Sequence, residues 1–182
     1  MNLEEGKCLV HLARKALFSD VKLEGKFIEK LGVFVTLHSY PSGDLRGCIG
    51  FIEPVYILEQ GVIEAAKSAA FSDPRFPPLT KDEEFVIEVS VLTKPELIEK
   101  PYETNIEIGK DGLIVEHHGI SGLLLPIVAI DQKWDVKEFL EGTCKKAGFP
   151  PDVLTKPDCK VYKFSTIVFS EKTPSGEVVK KM

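Results

Sequence analysis

No two cysteines of this 182-residue chain stand at CxxC spacing; the four, Cys8, Cys48, Cys144 and Cys159, are widely separated. That pattern indicates neither a zinc site nor a thioredoxin-like motif. An even count leaves disulfides open, but without a signal peptide reduced thiols in the cytoplasm are expected. Apolar runs stay far below the ~18 residues of a membrane span, so no membrane association is expected. Basic runs and RNA-binding signatures are missing, and a net charge of −5 with a pI near 5.5 makes a nucleic-acid partner the weakest of the readings considered. There is no Walker loop, GxGxxG fingerprint, HExxH or GxSxG motif, which argues against familiar nucleotide, zinc-protease and α/β-hydrolase chemistry. No cofactor and no metal are expected.

What is present is an ordinary globular composition, with 43% hydrophobic residues, enough for a real core in one large domain or two small subdomains. Three segments carry helical periodicity. The first runs from Glu4 to Leu17. The second runs from Val55 to Ala70, with Pro54 placed to start it. The third runs from Val136 to Ala147, with Asp135 and Glu138 spaced as a capping box, Trp134 and Phe139 as a hydrophobic staple, and Gly148 as its stop. Strands are expected at Val33–Ser39, Arg46–Ile52, Phe85–Leu92, Gly112–His118, Gly122–Leu125 and Lys160–Phe169, and Lys94–Ile108 reads as a connection. Hairpins with helices returning to a sheet imply an α+β architecture.

The chain also echoes itself. Phe76-Pro77-Pro78, Leu79-Thr80-Lys81 and Asp82 recur as Phe149-Pro150-Pro151, Leu154-Thr155-Lys156 and Asp158, with an offset of 73 at the first proline pair (Pro77 to Pro150) and 75 at the lysine (Lys81 to Lys156). The larger offset lays Ile120-Ser121-Gly122-Leu123-Leu124-Leu125 over Leu45-Arg46-Gly47-Cys48-Ile49-Gly50. An internal duplication with pseudo-repeat halves at about 32–93 and 109–170 is expected, with a mobile or contact-making tail over 172–182. Where the first copy has Arg46 and Cys48, the second has Ser121 and Leu123. A hairpin that needed only to fold would accept leucine at the cysteine position, so the first copy has something the second lacks.

Strand residues two apart share a face, which predicts that Arg46 and Cys48 project together. A cation beside a thiol favours the thiolate, the form that acts as nucleophile, redox sensor or metal ligand. A nucleophile also needs a base. His38, on the partner strand, is the first candidate; His117 and His118 are others, and Glu53, read as lying just before the second helix, is a candidate acid or base. The alternative is that Cys48 is a small buried apolar residue and the others are structural. Asp73 and Arg75 form a second constellation: either a clamp tying the Pro-rich loop to the hairpin, or a cation site for an anionic ligand. Gly47 and Gly50 mark close approach, by a ligand or by packing against the Ala-rich helix.

The unaltered LRGCIG hexapeptide at Leu45–Gly50, the Asp73-Pro74-Arg75-Phe76-Pro77-Pro78-Leu79 stretch, and Lys110-Asp111-Gly112-Leu113 with Leu125-Pro126, in that order, resemble the AMMECR-one domain family, whose hallmark is that hexapeptide. The resemblance covers nearly the whole chain, to about Glu171. It implies two α+β subdomains with a cleft between them. By similarity to protein A of a three-part set, it also implies a Memo-like protein and a radical SAM enzyme as partners. It implies little mechanism. Two classes of function are therefore expected. One is a binding or adaptor module with a groove centred on the hexapeptide. The other is a thiol-dependent enzyme or enzyme component using Cys48 on a small or peptide-like anionic substrate held by Arg46 and Arg75.

Overall fold

The computed structural model describes residues 1–181 and has an α+β fold built from two compact units. The first takes Met1–Leu92 and the chain from Ile167 onward; the second takes Thr93–Thr166. Among the described residues no helix is long and apolar enough to cross a membrane.

In the first unit, α1 (Leu3–Phe18) and α2 (Leu58–Phe71) lie on one face of antiparallel strands ordered β2 (Leu45–Phe51), β1 (Val33–Ser39), β3 (Phe85–Leu92). Alternation decides the faces. Val33, Val35 and Leu37 on β1, and Phe85, Ile87, Val89 and Val91 on β3, are buried with Leu9, Val10, Ala13, Val62, Ala66 and Ala69 of the helices. The residues between them (Phe34, Thr36, His38, Val86, Glu88 and Ser90) are half-buried and form the opposite face. The end of β7 (Lys160–Glu171) pairs with β8 (Val178–Lys180), and the Lys181 N–H donates to the Val168 carbonyl, so the C-terminal stretch is folded as far as Lys181; Met182 lies outside the described residues.

The second unit holds β4 (Glu96–Ile98), β5 (Asp111–His117), β6 (Ile120–Leu124), the first part of β7, and the helices α3 (Pro126–Gln132) and α4 (Val136–Lys146). Here β7 pairs with both β4 and β5, and β6 pairs with β5. Phe139, Leu140 and Cys144 of α4 pack with Leu113, Val115 and Val161 in its core. The Asp135–Glu138 capping box forms as its spacing predicts, and Gly148 takes the left-handed φ of +84° after the helix. A matching box at the start of α1, Asn2 with Glu5, was not singled out from the sequence.

Two expectations about α2 are corrected. The helix begins at Leu58, not Val55, and Pro54 lies outside it. Its first N–H groups are satisfied from elsewhere in the chain: Leu58 donates to the Glu29 carbonyl and Glu59 to that of Phe27. A helix capped by a distant segment starts where that segment meets it rather than at the local proline signal. The same shift removes Glu53 from the helix terminus. The acidic residue in the first turn is Glu59, buried, whose carboxylate accepts the backbone N–H groups of Glu24, Gly25 and Lys26.

Candidate functional site

Cys48 sits on β2, the last strand in the sheet order of the first unit. An edge strand leaves a row of backbone N–H and C=O groups unpaired. At Cys48 both are taken by side chains. The N–H donates to Asp73 Oδ2 at 2.9 Å, and the carbonyl accepts from Arg75 Nη2 at 3.1 Å. Arg75 in turn holds the same carboxylate, through Nε to Oδ1 at 2.9 Å and Nη2 to Oδ2 at 2.7 Å, while its backbone N–H donates to Oδ1 at 3.1 Å. The pair presents one acceptor and one donor, as a neighbouring strand would. It stands there because α2 ends at Phe71, Ser72 closes the helix, and Asp73 starts the turn that follows. This is the geometry of a clamp between the Pro-rich loop and the hairpin.

The electrostatics follow from that geometry. Asp73 has 1% of its side chain exposed and Arg75 53%. The Arg75 hydrogen bond, helped by the backbone N–H groups of Cys48 and Arg75 and opposed by burial, holds the Asp73 carboxyl well below the usual carboxylate range. Arg75 is shifted upward, first by its hydrogen bond to Asp73 and, more weakly, by its proximity to the Cys48 thiol.

The two-residue spacing argument does not carry over to Arg46, because the ladder is irregular beside it. Leu37 faces Gly47 while His38 faces Leu45, so Arg46 is the extra residue of a β-bulge. A bulge breaks the alternation and re-aims the side chain at that position. Arg46 is buried: its Nε donates to Glu83 Oε2 at 2.6 Å, and its Nη2 to Glu83 Oε1 at 3.0 Å and the Pro77 carbonyl at 2.9 Å. Glu83 is pulled down to about 2, first by Arg46, against burial, and then by the Thr80 N–H. The ring of Phe76 lies near both guanidinium groups, 5.9 Å from that of Arg46 and 5.5 Å from that of Arg75. The cation hydrogen-bonded to Cys48, through its carbonyl oxygen, is Arg75. Glu83, the partner of Arg46, was missed in the sequence, although Thr80-Lys81-Asp82-Glu83 has capping-box spacing and Glu83 does accept the Thr80 N–H. Arg46→Lys keeps the charge but loses the planar fork; it is expected to cost about 1–2 kcal/mol in urea unfolding.

The thiol itself is half-buried and accepts a hydrogen bond from Thr36 Oγ1 at 3.3 Å, a residue the sequence did not single out. Thr36 is the direct cross-strand partner of Cys48. His38 is turned to the hairpin end, with Nδ1 3.2 Å from the Gly43 carbonyl. Glu53 is exposed in the loop after β2. His117 and His118 belong to the second unit, beside Asp158. Among the described residues no histidine or carboxylate side chain is hydrogen-bonded to the Cys48 sulfur. The glycines answer to packing: a Cβ on Gly47 would lie 2.1 Å from the Ala69 carbonyl oxygen, and one on Gly50 would lie 2.4 Å from the Phe34 ring and the Val33 carbonyl oxygen. Gly122 on β6 meets α4 in the same way, 2.2 Å from the Ala147 nitrogen.

Residues 7–169 match the family model described as AMMECR1. The chain is 50% identical to Protein MK0488 of Methanopyrus kandleri, over 98% of this chain and 94% of that one. It is 46% identical to Protein MJ0810 of Methanocaldococcus jannaschii, over 100% and 97%. The crystal structure of the uncharacterized protein PH0010 from Pyrococcus horikoshii superimposes with a TM-score of 0.82 at 46% identity, covering 100% of this chain and 98% of that one.

Proposed function

The chain belongs to the AMMECR1 family, and from that premise we propose that it is a protein-binding adaptor module presenting the half-exposed face of its first-unit sheet, centred on Cys48 and Thr36, to a protein partner. One observation carries the reading. The charged residues of the hallmark segments are occupied with backbone and with each other: Asp73 and Arg75 grip the Cys48 peptide groups, and Arg46 is neutralised by Glu83. What is left facing outward is a stiffened strand edge, the half-exposed but already paired Arg75 guanidinium, a thiol and a mixed polar and apolar sheet face. A rigid, pre-shaped surface lowers the entropic cost of association, whereas a thiol to which, among the described residues, no histidine or carboxylate side chain is hydrogen-bonded is half of a catalytic pair. The partners that the family resemblance implies are a Memo-like protein and a radical SAM enzyme.

The test is co-purification of the tagged full chain with each of those two proteins from the same organism. Wild type and Cys48→Ser are expected to capture a partner, and Thr36→Lys, which puts a long cation on the same face, is expected to lose it at an unchanged unfolding midpoint. Capture that survives Thr36→Lys, or that fails in Cys48→Ser alone, would contradict the assignment. The thiol-enzyme reading keeps one supporting observation, the Arg75 guanidinium on the Cys48 carbonyl, which puts a cation at the residue that carries the thiol. Alkylation of Cys48 by iodoacetamide, followed by peptide mapping, separates the two. Recognition predicts labelling at neutral pH no faster than free cysteine; labelling many-fold faster supports thiolate chemistry.

A further inference from the structure

His117, His118 and Asp158 converge in the second unit in a way that neither the fold nor the hexapeptide site requires. β5 ends at His117 and β6 begins opposite it at Ile120, so His118 and Gly119 are the two turn residues. Both have positive φ, 50° and 76°, the conformation of tight hairpin turns, where glycine, asparagine and aspartate are the usual occupants. A residue with a Cβ is uncommon there, and histidine is among the types that tolerate it best. The turn brings two consecutive imidazoles side by side, with ring centroids 4.0 Å apart, although consecutive residues of an extended strand would point to opposite faces. The third group arrives from far along the chain. Lys160 pairs with Glu116, which sets Asp158, just before β7, next to the end of β5.

The distances are those of a ligand set. Asp158 Oδ2 lies 3.4 Å from His117 Nδ1 and 3.2 Å from His118 Nε2, and all three ligand atoms fall within 4.8 Å of one another. An ion bound tetrahedrally at 2.0–2.1 Å from each ligand atom separates those atoms by about 3.3–3.4 Å. The two imidazole–carboxylate separations already match that edge. His117 Nδ1 is buried and has no hydrogen-bond partner, and the ring is held edge-on to Phe149 at 5.4 Å. With side-chain exposures of 13% for His117, 73% for His118 and 48% for Asp158, one ligand is fixed and two are open to solvent. Among the described residues this is the only group of three or more His, Cys, Asp or Glu side chains that meets in this way.

We propose that His117, His118 and Asp158 bind a divalent late first-row transition ion, with zinc as its simplest representative. Imidazole nitrogen with one carboxylate oxygen suits zinc, nickel or copper rather than magnesium or calcium, which take mainly oxygen. The fourth position falls to solvent. Occupancy ties the β5–β6 turn to the segment entering β7 and so stabilises the second unit.

The test is zinc titration of the full chain, stripped of metal by chelator, in competition with a chromophoric zinc indicator. One zinc per chain with micromolar affinity is expected, together with a zinc-dependent rise in Tm. His118→Ala and Asp158→Asn, both at exposed side chains and therefore expected to fold, should each weaken binding on the order of tenfold or more, at least the loss seen when a supporting partner of a ligand is removed, and abolish the rise in Tm. Cobalt in place of zinc should give visible d–d bands without a thiolate charge-transfer band, and Cys8→Ser combined with Cys48→Ser should leave zinc affinity unchanged. Absence of binding to the wild-type chain, affinity undiminished in both ligand variants, or a thiolate band would each overturn the assignment.

Discussion

Asp73→Ala is expected to destabilise the protein by about 3 kcal/mol, read as a lowered urea midpoint at unchanged slope. The carboxylate is almost wholly buried and accepts from the Cys48 N–H, the Arg75 N–H and the Arg75 guanidinium. Removing it strands two backbone donors and leaves Arg75 without its anion. The desolvation of stranded donors, about 1–3 kcal/mol each, outweighs the modest net value of any single hydrogen bond. Arg75 is half-exposed and can turn to water, which keeps the loss below that of a fully buried ion pair. A loss under about 1 kcal/mol would show that the edge of β2 is held by something else.

The same carboxylate makes stability pH-dependent. Its pKa is lower in the folded chain than in the unfolded one, so its contribution is fully present above the unfolded value near 3.9 and is lost as pH falls through the folded value. Glu83, held at about 2 in the fold, acts in the same direction. Stability is therefore expected to decline as pH falls from about 4.5 toward 2, with both groups contributing. Asp73→Asn, which cannot ionise, should show a flatter acid limb than wild type in urea midpoints measured across that range. An unchanged limb would remove Asp73 from the explanation.

Gly47→Ala is expected to cost about 2–3 kcal/mol or more, or to prevent accumulation of folded protein. The added Cβ would sit 2.1 Å from the Ala69 carbonyl oxygen and 3.0 Å from its carbonyl carbon. Both obstacles are helix backbone, so no rotamer change relieves the contact, and β2 must separate from α2. The reduced backbone entropy of alanine in the unfolded chain is worth about 0.4–1 kcal/mol and does not offset this. The consequence reaches the candidate site, because Cys48 follows directly and Asp73 hangs from the end of that helix. A purified variant should show faster Cys48 alkylation as the clamp loosens. A midpoint equal to that of wild type would mean that the helix and strand separate more easily than their packing indicates.

Much of the candidate site was legible because its parts lie in segments that carry their own signals. LRGCIG and the Asp73-Pro74-Arg75 that precedes the first Phe-Pro-Pro could be read as unusual stretches without a counterpart in the second half of the sequence, and the structure brings Cys48, Asp73 and Arg75 together. The spacing argument did not extend to Arg46, and for a definite reason. Period-2 reasoning holds only while the ladder is regular, and the bulge opposite Leu37 and His38 depends on how two strands pair, not on the residues of one. Thr36 was overlooked because a threonine in a strand carries no mark of a cross-strand partner, and the Thr80–Glu83 spacing marks the local contact of Glu83 but not Arg46, which reaches it from far along the chain.

The amino-acid sequence alone determined the α+β class, the alternation that buries Val33, Val35 and Leu37, the capping box at Asp135 and the stop at Gly148, since each depends on spacing within a few residues. Tertiary structure decided where α2 begins, which cation is hydrogen-bonded to Cys48, what neutralises Arg46, and that His117, His118 and Asp158 meet. Those outcomes join groups remote along the chain, and their geometry exists only once the cores have packed and set the strands in register.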